Sequence, residues 1–211
     1  RYLPRGHGSE TLTGIMEISR RVIANSQKIA MLRERYRGNP TGAWLWGCGR
    51  RPKMRSLHER FGLKGRTISA VDLIHGLGRA VGLEPLHVDG ATGYIDTNYG
   101  GKARSLVDAL RTCNFVFLHV ESPDESGHEG NLEHKMKDIE DFDEKVVGPV
   151  LEGLSNYDDY SVMVITDHFT PVSVRTHTSE PVPFAMYHSG MASGQGTGAH
   201  DRGFNEASAA R

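Results

Sequence analysis

One stretch decides the fold: Phe115-Val-Phe-Leu-His-Val120 is almost continuously apolar and rich in β-forming residues. A strand of this composition is covered on both faces, as in a parallel sheet. Polar residues follow it at once in the run Glu121-Ser-Pro-Asp-Glu-Ser-Gly-His128. Ligands bind beyond the carboxyl ends of such strands, so the residues after Val120 are the first candidates for a functional site.

Further apolar runs on either side alternate with helical patterns. They predict strands at 43–46, 66–71, 85–88, 161–165 and 183–187, and helices at 73–81 and 103–110. Between 131 and 154 the pattern predicts one long amphipathic helix that Gly148-Pro149 should kink or break. Its apolar stripe is formed by Leu132, Met136, Ile139, Phe142, Val146 and Val150. The alternation predicts an α/β fold with a largely parallel sheet and helices on both faces.

Three segments are predicted along the chain. Residues 1–40 are helical, basic and without a strand pattern, which indicates a connector or the remnant of another domain. Residues 41–188 form the α/β domain, and residues 189–211 a Gly/Ser-rich loop followed by the start of a C-terminal helix. The chain begins with Arg1 rather than Met, and we expect it to be part of a longer protein.

Composition excludes several classes of protein. The 211 residues carry 25 Lys and Arg against 26 Asp and Glu, a balance that argues against binding nucleic acid by broad phosphate neutralisation. Two cysteines are too few for a disulfide framework and fit a reducing, cytoplasmic environment. No apolar run approaches the ~18 residues of a membrane span. We therefore expect neither a nucleic-acid partner nor a membrane.

Acidic and imidazole side chains cluster after two of the predicted strands. Asp124 and His128 lie four apart in a turn bearing Gly and Pro, Asp167 and His168 follow the strand at 161–165, and His177 comes shortly after. Carboxylate and imidazole ligands without thiolate suit Zn²⁺ or Mn²⁺. Five such ligands are too many for one catalytic zinc and match most of a two-metal cluster. Taken alone, an Asp after a strand is usually a helix cap or turn former, and several of the 11 histidines should lie in turns by chance.

A basic run after the predicted strand at 43–46 is a candidate for binding phosphate or carboxylate. It contains Arg50, Arg51 and Lys53, and it could equally be a solvated turn. Arginine favours bidentate phosphate contacts over lysine. Arg175 is a weaker candidate for the same role, and Glu121 could orient a ligand histidine as an outer carboxylate.

The metal motifs resemble those of the alkaline phosphatase superfamily: Asp-Glu-Ser-Gly-His at 124–128, Asp-His at 167–168 and His-Thr at 177–178. Five further stretches are similar to the archaeal-type branch of the cofactor-independent (2,3-bisphosphoglycerate-independent) phosphoglycerate mutases. They lie at 44–52, 68–74, 90–99, 170–178 and 181–184.

The resemblance implies a glycolytic isomerase that interconverts 3- and 2-phosphoglycerate through a phosphoserine. It implies two divalent cations, with Mn²⁺ favoured over Zn²⁺ or Mg²⁺. Asp124, His128 and His177 would hold one, and Asp167 and His168 the other. The early Asp ligand and the nucleophilic Ser of the family are not found here. We therefore expect the C-terminal portion of the enzyme, inactive alone, whose partners are a small phosphorylated metabolite and the N-terminal portion.

Two other hypotheses stay open. The chain could belong to another phosphotransferase or phosphomonoesterase of the superfamily, including sequences labelled homoserine kinase. It could also be a non-catalytic α/β module whose Asp and His residues are structural or bind a single metal.

Overall fold

The structure, a computed structural model, describes residues 3–36, 39–45, 49–50 and 52–190. The chain divides into two compact units, Arg1–Arg51 and Pro52–Arg211. The first contains helices α1 (Ser9–Ala24) and α2 (Gln27–Tyr36). Its described residues 39–45 form no strand, so the strand predicted at 43–46 is wrong there, and the end of that prediction lies outside the described residues.

A parallel sheet organises the second unit. After the short helix α3 (Leu57–Phe61) come β1 (Gly65–Ile68), α4 (Asp72–Ala80), β2 (Glu84–Leu86), α5 (Tyr99–Ala109) and β3 (Phe115–Leu118). The strand order is β2-β1-β3, and both pairings with β1 are parallel. The chain thus moves from one side of β1 to the other, which makes the carboxyl ends of β1 and β3 a topological switch point.

Helices cover both faces of this sheet. Thr67 of β1 points to α4, where a Cβ at Gly78 would lie 2.5 Å from the Thr67 methyl carbon. Leu118 of β3, in register with Ile68, points to the other face. There it packs against a buried apolar core from α5, α8 and the turn before α8: Tyr99, Ala103, Val146, Val150 and Leu154. The predicted α/β class with a parallel sheet is confirmed.

The segment after β3 departs from the prediction in two ways. The expected turn around Asp124 and His128 is a helix, α6 (Ser122–Glu129), with proline in its first turn. The expected long helix is divided into α7 (Leu132–Phe142), a π-helical turn (Asp143–Val147) and α8 (Gly148–Leu154). The Gly148 N–H donates to the Asp143 carbonyl, so the widening lies just before Pro149, which has no N–H to donate.

The side of α7 that is buried was not foreseen. Leu132, Met136 and Ile139 of the predicted inward stripe are each more than half exposed. The buried residues of α7 are the acids Asp138 and Asp141. The predicted stripe is therefore wrong for Leu132, Met136 and Ile139, although it is right for Phe142, Val146 and Val150, which pack in or against the core.

Strands β4 (Ser161–Ile165) and β5 (Phe184–His188) form an antiparallel pair. Val162 of β4 packs on the apolar core. Residues 191–211, which hold most of the predicted Gly/Ser-rich loop and terminal helix, lie outside the described residues. Among the helices that the structure describes, none has the length and apolar character needed to cross a membrane.

Candidate metal centre

Helix α6 positions the first two candidate ligands at the switch point. It begins at Ser122, shortly after β3 ends at Leu118, and its residues Asp124 and His128 are one turn apart on the same face. The Nε2 atom of His128 lies 3.3 Å from Oδ2 of Asp124. The four-residue spacing thus produces the proposed pair, although through a helix rather than a turn.

The loop after β4 brings the other candidates to Asp124. A bridge between Phe169 and Thr178 draws the two ends of this loop together. His177 Nε2 lies 3.5 Å from Asp124 Oδ1, and His168 Nδ1 lies 4.0 Å from the same oxygen. Donor atoms of Asp124, His168 and His177 all lie within 4.8 Å of one another.

The orientation of His128 leaves one ring nitrogen free to act as a ligand. Its Nδ1 lies 3.0 Å from the backbone carbonyl of Arg175, which can only accept, so Nδ1 carries the proton. The unprotonated Nε2 of a neutral ring then faces Nε2 of His177 at 3.1 Å. A backbone carbonyl that fixes the tautomer of a histidine is typical of metal ligands.

Asp167 lies at the edge of this group. Its Oδ2 is 3.3 Å from His168 Nε2, while its Oδ1 accepts the backbone N–H of His168. The rings of His168 and His177 lie 3.7 Å apart between centroids. Each of the five predicted ligands thus contacts at least one other, and His168 lies between Asp167, at 3.3 Å, and Asp124, at 4.0 Å. How they divide between two cations stays a prediction.

The predicted substrate residues lie around the point where the chain passes from the first unit to the second. Arg50 is exposed in the first unit, Lys53 is exposed near the start of the second, and Arg51 is outside the described residues. Arg175 packs its guanidinium over Gly130, where a Cβ would collide with it. Its φ of 58° is left-handed, the one such non-glycine among the described residues, and this backbone turns its carbonyl toward His128.

Three residues near Asp124 escaped the sequence analysis. Buried Thr170 donates its hydroxyl to Asp124 Oδ1. A Cβ at Gly127 would collide with the Thr170 carbonyl, so this glycine allows the loop to approach α6. Lys135 of α7 donates to the carbonyls of Pro123, at 2.6 Å, and Thr170, at 3.4 Å. Of these three residues, only Gly127, beside His128, could have been identified from the sequence.

A second cluster of polar side chains lies near Asp124 at the switch point. Ser69 Oγ is 3.1 Å from His119 Nδ1, and His119 Nε2 is 3.2 Å from Glu121 Oε2. Glu121 thus pairs with His119, which is not a predicted ligand. Lys102 is fully buried and donates to the His119 carbonyl at 3.4 Å. Burial lowers the pKa of Lys102 to about 8, against the opposing effect of Glu121.

Negative charge accumulates on the side of Asp124 that faces Glu121. Burial raises the pKa of Glu121, and the carboxylates of Asp124 and Glu125 raise it further. Donor oxygens of these three residues lie within 4.8 Å of one another. A bound cation would offset this repulsion.

The donor set fits a divalent cation. Atoms about 2.1 Å from one metal lie roughly 3–4 Å from each other. The contacts of Asp124 with His128, His168 and His177 span 3.3 to 4.0 Å. Oxygen and imidazole nitrogen are ligands for Mn²⁺ and Zn²⁺. Asp124, His168 and His177 thus offer donor atoms close enough to share one metal, and His128 contacts both Asp124 and His177.

Comparison with known proteins agrees with this chemistry. The model of the metalloenzyme superfamily matches residues 3–209. A probable 2,3-bisphosphoglycerate-independent phosphoglycerate mutase of Geobacter sulfurreducens is 46% identical over 95% of this chain and 50% of its own length. The 2,3-bisphosphoglycerate-independent phosphoglycerate mutase of Methanosarcina acetivorans is also 46% identical, over 92% of this chain and 49% of its own. The chain spans about half the length of these relatives.

Solved structures give the same result for the fold. A Pyrococcus horikoshii protein superposes with a TM-score of 0.59 at 32% identity, over 63% of this chain and 39% of its own. A cofactor-independent phosphoglycerate mutase from Thermoplasma acidophilum gives a TM-score of 0.54 at 22% identity, over 96% of this chain and 46% of its own. The resemblance to this family expected from the motifs is confirmed.

Proposed function

Because the chain belongs to the metalloenzyme superfamily, we propose that it is the metal-binding portion of a 2,3-bisphosphoglycerate-independent phosphoglycerate mutase. The observation that carries the proposal is the orientation of His128. Its Nδ1 donates to the Arg175 carbonyl, and its Nε2 faces His177 and Asp124. Without metal, a single proton between Nε2 of His128 and Nε2 of His177 makes their contact a hydrogen bond. A divalent cation in its place would engage all three side chains.

We assign Asp124, His128 and His177 to one cation and Asp167 and His168 to the other, with Mn²⁺ as the ion. When bound, such a pair of cations stabilises the charge that develops on a transferred phosphoryl group. The chain's own residues prepare the site. Thr170 fixes one oxygen of Asp124, and the Arg175 carbonyl fixes the ring of His128.

We propose phosphoglycerate as the substrate because two of the most similar relatives carry that activity in their names. Arg50, Arg51 and Lys53 would bind its carboxylate or phosphate, since they supply cations that the metal ligands do not. The cytoplasm is the compartment we propose, in keeping with the low cysteine content.

The serine nucleophile would come from the N-terminal portion of the enzyme, as the family resemblance implies. Two serines near the site of this chain are already engaged. Ser126, between the α6 ligands, is buried and donates to Asp138. Ser69 accepts the Val71 N–H at 2.9 Å and contacts His119. We therefore expect no mutase activity from the 211-residue chain alone.

Mn²⁺ binding to the purified chain tests the metal assignment. We expect the chain to bind Mn²⁺, and His128→Ala or His177→Ala to weaken binding at least about 100-fold, because each removes a ligand atom. His134→Ala is the matched control. It removes a half-exposed histidine that lies 3.9 Å from Glu129 and has no described contact with the proposed ligands. Unchanged Mn²⁺ affinity in both ligand variants would refute the assignment.

The substrate is tested separately with ³¹P NMR. If 3-phosphoglycerate binds beside the metal, the paramagnetism of chain-bound Mn²⁺ will broaden its phosphorus signal more than that of inorganic phosphate at the same concentration. Equal broadening of the two would contradict the substrate assignment but leave the metal assignment intact. Interconversion of 3- and 2-phosphoglycerate by the chain alone would contradict the proposed origin of the nucleophile.

A further inference from the structure

Helix α6, which carries Asp124 and His128, has almost nothing apolar with which to anchor itself. Its eight residues are Ser-Pro-Asp-Glu-Ser-Gly-His-Glu, and proline is the only one with a substantial apolar side chain. Amphipathic helices are normally held by an apolar stripe. The direction in which the two ligand side chains point must therefore depend on polar contacts.

The buried face of α6 presents two serine hydroxyls. Ser122 is 0% exposed and Ser126, one turn later, is 4% exposed. Ser126 donates to Oδ2 of Asp138 on α7. The Ser122 hydroxyl lies 2.5 Å from the phenol oxygen of Tyr99, which in turn donates to Oδ1 of Asp138 at 3.0 Å. Both serines thus reach the same carboxylate, one directly and one through Tyr99.

The carboxylate fixes the direction of every hydrogen bond in this group. An ionised carboxylate only accepts, so the Tyr99 and Ser126 hydroxyls must both donate to it. Burial raises the pKa of Tyr99, which keeps the phenol protonated and able to donate. With its one hydrogen directed to Asp138, Tyr99 can only accept from Ser122. A single arrangement of protons satisfies all four groups.

The location of Asp138 suits a positioning role better than a purely stabilising one. It is 0% exposed, and its described hydrogen bonds come from Tyr99 of α5 and Ser126 of α6 rather than from α7. Lys135, one turn earlier on α7, holds the carbonyl of Pro123 in the first turn of α6. Helix α7 thus contacts α6 at its first turn and again near its middle.

We infer that Asp138 is a positioning residue, which orients α6 through Ser122, Tyr99 and Ser126 and so directs Asp124 and His128 toward a divalent cation. This inference rests on the proposed function for the identity of the ligand. Asp141 provides an internal comparison. It is equally on α7 and 3% exposed, but its partners are Lys137 and Lys145, and it contacts no residue of α6 among its described ion pairs.

The test compares Asp138→Asn with Asp141→Asn in the 211-residue chain. The amide at 138 keeps only one acceptor oxygen, so it cannot accept from both Tyr99 and Ser126, whereas the amide at 141 leaves α6 untouched. We expect Asp138→Asn to weaken Mn²⁺ binding at least about tenfold and to change the visible absorption of bound Co²⁺, which reports coordination geometry. Asp141→Asn should leave both unchanged. Equal behaviour of the two variants overturns the inference.

A metal-independent measurement separates this inference from the proposed function. Long-range ¹H–¹⁵N spectra of the metal-free chain report which nitrogen of His128 carries the proton. We expect Nδ1–H in the wild type and in Asp141→Asn, and a mixture of tautomers in Asp138→Asn. If the wild type binds no Mn²⁺ but the tautomer shifts as stated, the proposed function fails and the positioning role stands. If Asp138→Asn does not fold, Tyr99→Phe and Ser126→Ala each remove one hydroxyl, and an unchanged His128 tautomer in both overturns it.

Discussion

Within the second unit, helix α8 is held by apolar packing and helix α6 by hydrogen bonds. Helix α8 buries Val150 and Leu154 in the apolar core with Ala103 of α5. Helix α6 buries serines, and its neighbour α7 meets it with Asp138. Apolar burial is non-directional, so it holds layers together without fixing the angle of a side chain. Hydrogen bonds specify angles, and they occur where the candidate ligands are carried.

Truncation of the apolar core is the largest effect we expect, and it should separate stability from metal binding. Leu154→Ala should lower the free energy of unfolding by about 3 kcal/mol, because Leu154 is 5% exposed and leaves a cavity. Urea denaturation measures the loss, with Leu151→Ala, on the exposed side of the same helix, as the milder control. Mn²⁺ affinity of the folded chain should not change. A metal site that weakens in proportion to the lost stability would remove the distinction between the two regions.

A methyl group at the contact between α6 and the loop that carries Thr170 should have the opposite effect. It should weaken Mn²⁺ binding more than it lowers the stability of the fold. Gly127→Ala forces the loop carbonyl away from α6, so Mn²⁺ affinity should fall about tenfold, or about 1.4 kcal/mol. Gly76→Ala is the matched control, since nothing lies within 4 Å of its Cβ in the interior of α4. It should raise the free energy of unfolding by about 0.5–1 kcal/mol and leave the metal alone. Unimpaired Mn²⁺ binding in Gly127→Ala would show that the loop adjusts freely.

Lys102 lies between the apolar core and the polar groups near Asp124: its neighbour Ala103 is in the core, and its ammonium donates to the His119 carbonyl. Its substitution should give the smallest of the three changes. Its pKa of about 8 in the folded chain lies below the value near 10.4 of an unfolded lysine. Between these values the unfolded state holds more protons, so the free energy of unfolding rises with pH. We expect the wild type to gain about 1 kcal/mol over Lys102→Met between pH 7 and 9.

The control for this pH dependence is Lys64→Met, which removes the same charge from an exposed position. Parallel curves for the wild type and Lys102→Met would mean that Lys102 titrates as if it were in water. The buried ammonium of Lys102 would then add no pH dependence to the free energy of unfolding.

The sequence predicted those parts of the fold that depend on local pattern. Apolar runs located β1, β3 and β4, and the spacing of Asp124 and His128 indicated a pair of ligands, although their segment was predicted as a turn and is a helix. Which side of α7 is buried could not be predicted from local pattern. Asp138 is buried because hydroxyls of Tyr99 and Ser126 meet it, and those contacts exist only once three helices are assembled. The carbonyl of Arg175 likewise depends on a left-handed backbone that no side-chain pattern signals.

The contact between His128 and the Arg175 carbonyl has a consequence for how the site tolerates genetic change. The accepting atom is common to all twenty amino acids, so no single codon at position 175 can delete it. What position 175 must preserve is the backbone angle, and glycine would adopt the φ of 58° with less strain than arginine. A substitution at any of the three imidazoles around Asp124 removes a candidate ligand, whereas a substitution at position 175 removes the acceptor only if it moves the backbone.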